Sequence, residues 1–113
     1  IKQVQTLSGG TFQNDPDRIE AGTFMIAAAM LPESSLRLIG CNAQHLGKFP
    51  ELLRQTGAKV DVEGEVISVQ APEILQPVSI TTEIYPGFPT DLQAQWATML
   101  SQAHGSSTVT DTV

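Results

Sequence analysis

Residues 21–30 read AGTFMIAAAM, and this stretch constrains the fold more than any other part of the chain. If it is helical, its last two turns carry apolar side chains all round, and such a helix is normally buried on every side. The helix is predicted to start at Asp15 or Asp17, because Pro16 suits a first helical position and Asp17 with Glu20 predicts a capping box. Pro32 breaks the helix. We therefore expect a helix that lies inside, with sheets or other helices around it.

Strand and helix signals alternate along the chain. Alternating apolar residues predict strands, and apolar residues at helical spacing predict helices. The predicted strands cover residues 1–7, 35–40, 58–62, 65–70, 78–82 and 107–113, and the predicted helices cover residues 17–30, 48–56 and 91–103. Glu63 and Gly64 form the predicted hairpin turn, and Gly57 is the predicted cap at the end of the second helix.

The resulting order, β-α-β-α-β-β followed by β-α-β, contains a partial repeat. Asp17 and Asp91 each open an apolar helix that follows a strand and a loop of Gly and Pro residues. We therefore predict an α+β fold with a complete βαβαββ unit, residues 1–76, and the first part of a second, residues 77–113, within one larger domain. Because a unit without its second helix leaves apolar surface uncovered, we expect the natural protein to continue past Val113.

Composition narrows the class of partner. Twelve acidic and six basic residues give a net charge of −6, which argues against a nucleic acid or an anionic membrane as the main partner. No apolar run approaches the roughly 18 residues that span a bilayer. The single Cys41 excludes an internal disulfide and indicates a reducing compartment, so we expect a cytoplasmic protein. His45 and His104 lack the spacing of metal ligands, and no metal site is predicted.

Residues 85–95, YPGFPTDLQAQ, place one carboxylate at the start of a predicted helix. Pro86 and Pro89 stiffen the loop before it, and Thr90 with Gln93 predicts a capping box. Asp91 has two interpretations: a ligand-contacting carboxylate, or an ordinary acid at a helix start, where the dipole favours it by about 0.3–1 kcal/mol. Position alone favours the second interpretation.

Two segments carry a resemblance to a known family. Residues 16–24, PDRIEAGTF, and residues 85–91, YPGFPTD, resemble motifs of the UDP-N-acetylglucosamine 1-carboxyvinyltransferase family of enolpyruvyl transferases, and residues 110–113, TDTV, resemble its TETV segment. The resemblance implies that the chain is about a quarter of such an enzyme. It also implies an inside-out α/β barrel of βαβαββ units, with helices inside and sheets outside.

The resemblance further implies a reaction and its residues. The family transfers the enolpyruvyl group of phosphoenolpyruvate to the 3-hydroxyl of UDP-N-acetylglucosamine and releases phosphate, the first committed step of peptidoglycan synthesis, with no metal or cofactor. Asp91 matches the aspartate proposed to accept the hydroxyl proton and to contact the sugar. Val113 matches a second contact to UDP-N-acetylglucosamine, made through its backbone or by packing. Asp111 stands where the family commonly has glutamate.

Other candidates receive structural interpretations. Asp17, Arg18 and Glu20 are taken as a cap and a solvated first turn, and Trp96 as a core residue. The surroundings of Cys41 do not resemble the family's reactive-cysteine loop; that cysteine, a lysine and most phosphate-binding arginines would lie outside this chain. We therefore expect the isolated chain to be inactive and to need the remainder of the enzyme. A 3-phosphoshikimate 1-carboxyvinyltransferase and a non-catalytic binding module of the same fold remain as alternatives.

Overall fold

The computed structural model describes residues 2–113. Its three α-helices are α1 (Arg18–Met30), α2 (Phe49–Gln55) and α3 (Gln93–Leu100). Its strands are β1 (Ser35–Ile39), β2 (Lys59–Glu63), β3 (Val66–Gln70), β4 (Ile80–Thr81) and β5 (Val109–Thr110). Short 3-10 turns cover Ala43–Leu46 and Thr90–Leu92. The predicted α+β class is confirmed, and no helix in the described part of the chain is long and apolar enough to cross a membrane.

The first three strands form an antiparallel sheet in the order β1-β3-β2. Ile67 and Val69 of the central strand are fully buried, so this face of the sheet packs on the core. The β2–β3 hairpin is confirmed, but its turn lies one residue later than predicted, because Glu63 pairs with Val66. Gly64 has a φ of +59°, which suits the first central position of a two-residue turn, and Gly64–Glu65 is therefore the turn.

β4 and β5 form a second, parallel sheet, in which Ile80 pairs with Val109. Both strands were predicted and are confirmed, although each is reduced to two residues. Beyond β4, Thr82 makes a single bridge to Phe88. The second sheet therefore lies next to residues 85–91, the predicted motif loop.

One apolar core joins all of these elements. Phe49, Phe88 and Trp96 lie at its centre, with ring centroids 5.2–6.0 Å apart in tilted or edge-on geometry, an arrangement that aromatic rings prefer. These rings come from α2, the motif loop and α3, and the predicted core role of Trp96 is confirmed. The core includes residues from 1–76 and from 77–113; the division of the chain between those two units stays a prediction.

The expectation that α1 is buried all round is wrong for the residues described. Met25 and Ala28 are buried, but Phe24 is 50% exposed and Ala27 is half-buried. α3 and the strands β1 and β3 cover α1 from only part of its circumference. A shallow apolar groove, lined in part by Ala27, Ala94 and Thr98, remains between α1 and α3.

The predicted first strand, residues 1–7, is not formed. Ile1 lies outside the described residues, and residues 2–17 are exposed and contain no strand. A strand needs a neighbour to accept and donate its backbone hydrogen bonds, and within residues 2–113 no other segment pairs with this one. The chain therefore becomes regular only at the cap of α1.

The helix boundaries agree with the sequence at most ends. Asp17 is the N-cap of α1, so Pro16 precedes the cap instead of occupying the first turn. Pro50 lies in the first turn of α2, as predicted. Gly57, at a φ of +93°, donates its N–H to the carbonyl of Arg54 at 2.9 Å, which confirms the predicted end of that helix. α3 ends at Leu100, three residues before the predicted end.

Replacing Gly22 by alanine should destabilise the protein, although the same change inside a helix usually gains about 1 kcal/mol. The added Cβ would lie 2.5 Å from Cδ1 of Leu92, and Leu92 is fully buried. Overpacking of this kind costs about 1–3 kcal/mol. We expect the free energy of unfolding, measured by urea denaturation, to fall by about 1 kcal/mol. In a Leu92→Ala background the same substitution should become neutral or stabilising, and a stabilising effect without that background would contradict the close contact.

Candidate functional site

The motif loop closes on itself before it reaches α3. Glu83 donates its N–H to the carbonyl of Phe88 at 2.9 Å, and Gly87 donates to the carbonyl of Ile84 at 2.8 Å. The Tyr85–Pro86 peptide bond, which both pairs enclose, is cis. Phe88 is almost completely buried, so the loop is fixed at its base by the aromatic core.

A remote segment, residues 44–48, holds the outer side of this loop. The N–H of Lys48 donates to the carbonyl of Pro86 at 3.0 Å, and the hydroxyl of Tyr85 donates to the carbonyl of Gln44 at 3.0 Å. The ammonium of Lys48 also lies 3.1 Å from a carboxylate oxygen of Glu83. The side chains of Lys48 and Glu83 are both largely exposed, and an exposed ion pair contributes only about 0–1 kcal/mol. The backbone contacts are therefore the main anchors.

The structure brings the two sequence motifs together. The guanidinium of Arg18, in the first motif, lies 5.3 Å from the ring centroid of Tyr85, in the second, which is within the range of a cation–π contact. Four residues further along α1, Gly22 accommodates the side chain of Leu92. Sequence reasoning assigned Arg18 to a solvated turn and did not predict either contact.

Asp91 lies in the middle of the 3-10 turn Thr90–Leu92, and its side chain is exposed. The predicted capping box of Thr90 with Gln93 is wrong. α3 begins at Gln93 after Leu92, and the helix start has no side-chain cap. The physical reason is that the chain enters α3 through a 3-10 turn, which places Thr90 inside the turn instead of at an extended position before a helix.

Asp17 and Asp91 occupy similar places in the sequence but have different surroundings. Oδ1 of Asp17 accepts hydrogen bonds from the N–H groups of Ile19 at 2.8 Å and Glu20 at 3.1 Å. Within residues 2–113, the Asp91 carboxylate accepts none and forms no ion pair. Asp17 is therefore a helix cap, whereas Asp91 is an acid in the first turn of a helical segment that has no side-chain cap. Both interpretations of Asp91 stay predictions.

Val113 lies at the end of a hydrogen-bonded network that begins at Thr82. The hydroxyl of Thr82 donates to Oδ1 of Asp111 at 2.5 Å, and the same oxygen accepts the N–H of Val113 at 3.2 Å. Because the N–H of Val113 is used in this way, a ligand could contact only its carbonyl or its side chain, which is 71% exposed.

The network also lowers the pKa of the Asp111 carboxyl. Its hydrogen bond from Thr82, and to a lesser extent that from the N–H of Val113, hold the pKa of the carboxyl below its ordinary value. The stability that this contributes is complete above the ordinary aspartate pKa, and is lost as the pH falls through the lower pKa of the folded state. Asp111 is therefore charged at neutral pH.

Neither of two clefts within residues 2–113 is lined by both Asp91 and Val113. A cleft of about 550 Å³ lies between the motif loop and the end of the chain, and it is lined by Lys48, Thr112, Val113 and residues 83–87 but not by Asp91. A wider cleft of about 760 Å³, which includes Asp15 and Cys41, contains neither site residue. Val113 thus shares a surface with residues 83–87.

The surroundings of Cys41 and His45 are those of structural residues. Cys41 is buried, and burial, with the nearby charge of Glu20, raises the pKa of its thiol, which lowers its reactivity. No group of His, Cys, Asp and Glu residues that could hold a metal is found in residues 2–113. The side chain of His45 contacts Nδ2 of Asn42 at 3.0 Å, beside the 3-10 turn.

Sequence reasoning did not single out Gly47 or Thr82 as parts of the site. Each acts on a segment that is remote in sequence: Gly47 on Pro86, and Thr82 on residues 111–113. No local pattern marks such residues. The only sequence signal for the hydrogen bonds between Thr82 and residues 111–113 was the resemblance of residues 110–113 to a family segment.

The different surroundings of Asp17 and Asp91 predict different effects on stability. Asp17→Ala removes a cap and should lower the free energy of unfolding by about 1 kcal/mol. Asp91→Ala removes no hydrogen bond within the described chain, and its effect should stay within about 0.5 kcal/mol. Urea denaturation of both variants would measure the difference. Equal losses would mean that Asp91 also caps a helix.

Gly47→Ala should displace the motif loop. Gly47 has a φ of +55°, and an added Cβ would lie 2.2 Å from the carbonyl oxygen of Pro86. We expect the amide of Lys48, which donates to that oxygen, to exchange its hydrogen at least about tenfold faster, since its bond is lost. Gly64→Ala is the matched control, because Gly64 has a φ of +59° and open space around it. If the Lys48 amide exchanged equally fast in Gly47→Ala and Gly64→Ala, backbone strain at a positive φ, and not the clash with Pro86, would be responsible.

Comparison with known proteins assigns the chain to a family. The model of the family described as EPSP synthase (3-phosphoshikimate 1-carboxyvinyltransferase) matches residues 1–113. The chain is 45% identical over 113 residues to the UDP-N-acetylglucosamine 1-carboxyvinyltransferase of Chlorobaculum parvum, covering 100% of this chain and 26% of that protein. It is 46% identical over 114 residues to the protein of the same name from Beijerinckia indica, again covering 100% of this chain and 26% of the relative.

A solved structure agrees with these matches. The crystal structure of the enolpyruvyl transferase NikO from Streptomyces tendae superposes with a TM-score of 0.63 at 27% identity, covering 83% of this chain and 23% of that chain. The chain therefore spans about a quarter of the length of the curated relatives it matches. The resemblance seen in the two motifs is confirmed, and the chain belongs to the EPSP synthase family.

Proposed function

We propose that the protein to which this chain belongs transfers the enolpyruvyl group of phosphoenolpyruvate to the 3-hydroxyl of UDP-N-acetylglucosamine and releases phosphate. Relatives at 37–46% identity over the whole chain carry the name of that activity. Asp91 is the catalytic residue of the proposal, and Asp91 and Val113 contact the nucleotide sugar. The chain supplies one side of the site, and the remainder of the enzyme supplies the groups that bind phosphoenolpyruvate.

The uncommitted carboxylate of Asp91 is the observation that carries the proposal. A general base needs a position that is fixed and an oxygen that is not already occupied. The turn around Asp91 is held by the burial of Leu92 and Phe88 on either side, while the carboxylate itself is exposed and unbonded within residues 2–113. Asp17, which resembles it in sequence, already has one carboxylate oxygen, Oδ1, bonded to two backbone N–H groups.

The proposed step is an addition followed by an elimination. The 3-hydroxyl oxygen forms a bond to C2 of phosphoenolpyruvate while its proton passes to the Asp91 carboxylate, and the electron pair of the C2=C3 double bond takes a proton at C3 from an acid in the remainder of the enzyme. Loss of phosphate from C2 and of a proton from the C3 methyl group then forms the enol ether, with no net oxidation and no metal or cofactor in the proposal. The proton transfer requires an oxygen of Asp91 within about 2.6–3.2 Å of the hydroxyl, or one water away.

Val113 contributes binding instead of chemistry in this proposal. Its N–H is already bonded to Asp111, so the sugar nucleotide would contact its carbonyl or its isopropyl group. A cytoplasmic enzyme of peptidoglycan synthesis, with a role in cell-wall biogenesis, cell shape and division, is the cellular setting that follows from the proposed substrates. Neither a nucleic acid nor a membrane is a partner in it.

Asp91→Asn in the full-length enzyme tests the proposal. We expect phosphate release from phosphoenolpyruvate to depend on UDP-N-acetylglucosamine and to fall at least about 100-fold in kcat in the variant, which is the usual contribution of a general base. Asp61→Asn is the matched control, because Asp61 is an exposed carboxylate on β2, and it should leave the rate unchanged. A wild-type rate in Asp91→Asn would remove the catalytic role of Asp91.

The description of the family model supports a second candidate, a 3-phosphoshikimate 1-carboxyvinyltransferase. The same assay with 3-phosphoshikimate as the acceptor distinguishes the two. We expect no phosphate release when 3-phosphoshikimate is the acceptor. Release with 3-phosphoshikimate and none with UDP-N-acetylglucosamine would replace the proposed substrate. A folded full-length protein that is inactive with both acceptors would favour the third interpretation, a non-catalytic binding module.

A further inference from the structure

Asp111 connects two segments that the strand ladder leaves apart. The last pair of the parallel sheet is Thr81 with Thr110, and residues 111–113 lie beyond it. Asp111 nevertheless accepts bonds from both sides: from the hydroxyl of Thr82, just beyond β4, and from the N–H of Val113. The carboxylate therefore fixes the chain after β5 against the end of β4.

The bonds around Thr82 have a single consistent direction. Its side chain is fully buried, and its hydroxyl carries one proton, which is donated to Asp111 at 2.5 Å. The hydroxyl oxygen then accepts the N–H of Thr112 at 3.0 Å. The Thr112 hydroxyl in turn donates to the backbone carbonyl of Thr82. These three hydrogen bonds, with the bond from the Val113 N–H to Asp111, determine where residues 111–113 run.

The same threonine also contacts the motif loop. Thr82 forms the bridge to Phe88, three residues before Asp91, and Phe88 packs against Trp96 with their ring centroids 5.2 Å apart. Thr82 therefore stands between the loop that presents Asp91 and the segment that presents Val113. A change at Asp111 or in the Thr82 hydroxyl acts on residues 111–113 directly, whereas the bridge from Thr82 to Phe88 belongs to the backbone.

We propose that Asp111 is a positioning residue for the nucleotide-sugar site, which sets the backbone of Val113 through its bonds to Thr82 and to the Val113 N–H. The inference rests on the proposed function, because it concerns the same site. Asp111 touches no substrate in this proposal. Its charge matters because hydrogen bonds to an ionised acceptor are roughly twice as strong as those between neutral groups.

The test uses the full-length enzyme, four variants of Asp111 and Thr82, and one control variant. Asp111→Ala removes the oxygen that accepts both hydrogen bonds, whereas Asp111→Asn keeps an oxygen at the same place without the charge. Thr82→Val removes the hydroxyl, whereas Thr82→Ser retains it. Asp61→Ala, on the exposed side of β2, controls for the loss of a surface carboxylate.

We expect Asp111→Ala and Thr82→Val to raise KM for UDP-N-acetylglucosamine about tenfold, the effect of losing a bond to a charged group. KM for phosphoenolpyruvate and kcat should change by less than about threefold, since Asp91 keeps its place. Asp111→Asn should give an intermediate KM for UDP-N-acetylglucosamine, and Thr82→Ser should restore the wild-type KM. A merely structural role would not separate the two KM values, because partial unfolding lowers the active fraction without changing either.

Hydrogen exchange of the Val113 amide provides a second measurement. It should be at least about tenfold faster in Asp111→Ala than in the wild type. The amide of Thr82, which donates to the carbonyl of Thr110 at 2.8 Å, should stay protected in that variant. This comparison separates a local release of residues 111–113 from loss of the sheet, and it remains available with Asp111→Asn if the alanine variant does not fold.

Two negative results have different meanings. A wild-type enzyme that is active with UDP-N-acetylglucosamine, together with an unchanged KM in Asp111→Ala, overturns the positioning role and leaves the proposed function intact. A wild-type enzyme that releases no phosphate with that acceptor overturns the proposed function, and the sugar site with it. Parallel loss of protection at Val113 and Thr82 also overturns the inference, because Asp111 would then support the whole sheet.

Discussion

The contact between Gly22 and Leu92 is the constraint on which the site depends. With no side chain at Gly22, Leu92 packs directly against α1 and is fully buried there. Leu92 and Asp91 are neighbours in the 3-10 turn Thr90–Leu92, in which Leu92 is buried and Asp91 is exposed. The glycine of one motif thus determines how the aspartate of the other is presented.

The sequence predicted the parts of the fold whose causes are local. The cap at Asp17, the proline in the first turn of α2, the cap at Gly57 and the β2–β3 hairpin each depend on residues within a few positions of one another. Burial of α1 was overestimated because an apolar pattern shows that a helix surface favours burial but does not show which segments cover it. The predicted first strand failed for a similar reason, since a strand requires a partner that pattern alone does not supply.

For the candidate site, the residues could be predicted but their environments could not. Asp17 and Asp91 fit the same pattern, and only the structure distinguishes a carboxylate occupied by two N–H groups from one left open. Gly47 and Thr82 act across long sequence separations, on a carbonyl and on a carboxylate respectively. Such contacts depend on the packing of α2 and α3 around the aromatic core, which no short window of sequence describes.

The parallel pairing of β4 with β5 has a consequence for the order in which the chain folds. The β2–β3 hairpin closes through a two-residue turn, and hairpins of that kind form in about 1–10 μs. The β4–β5 pair must instead close the long connection that contains α3, and closing longer connections costs more entropy and slows folding. We expect Val113 to reach its place only after α3 has docked, so that a partly folded chain contains the antiparallel sheet but lacks the proposed sugar contact.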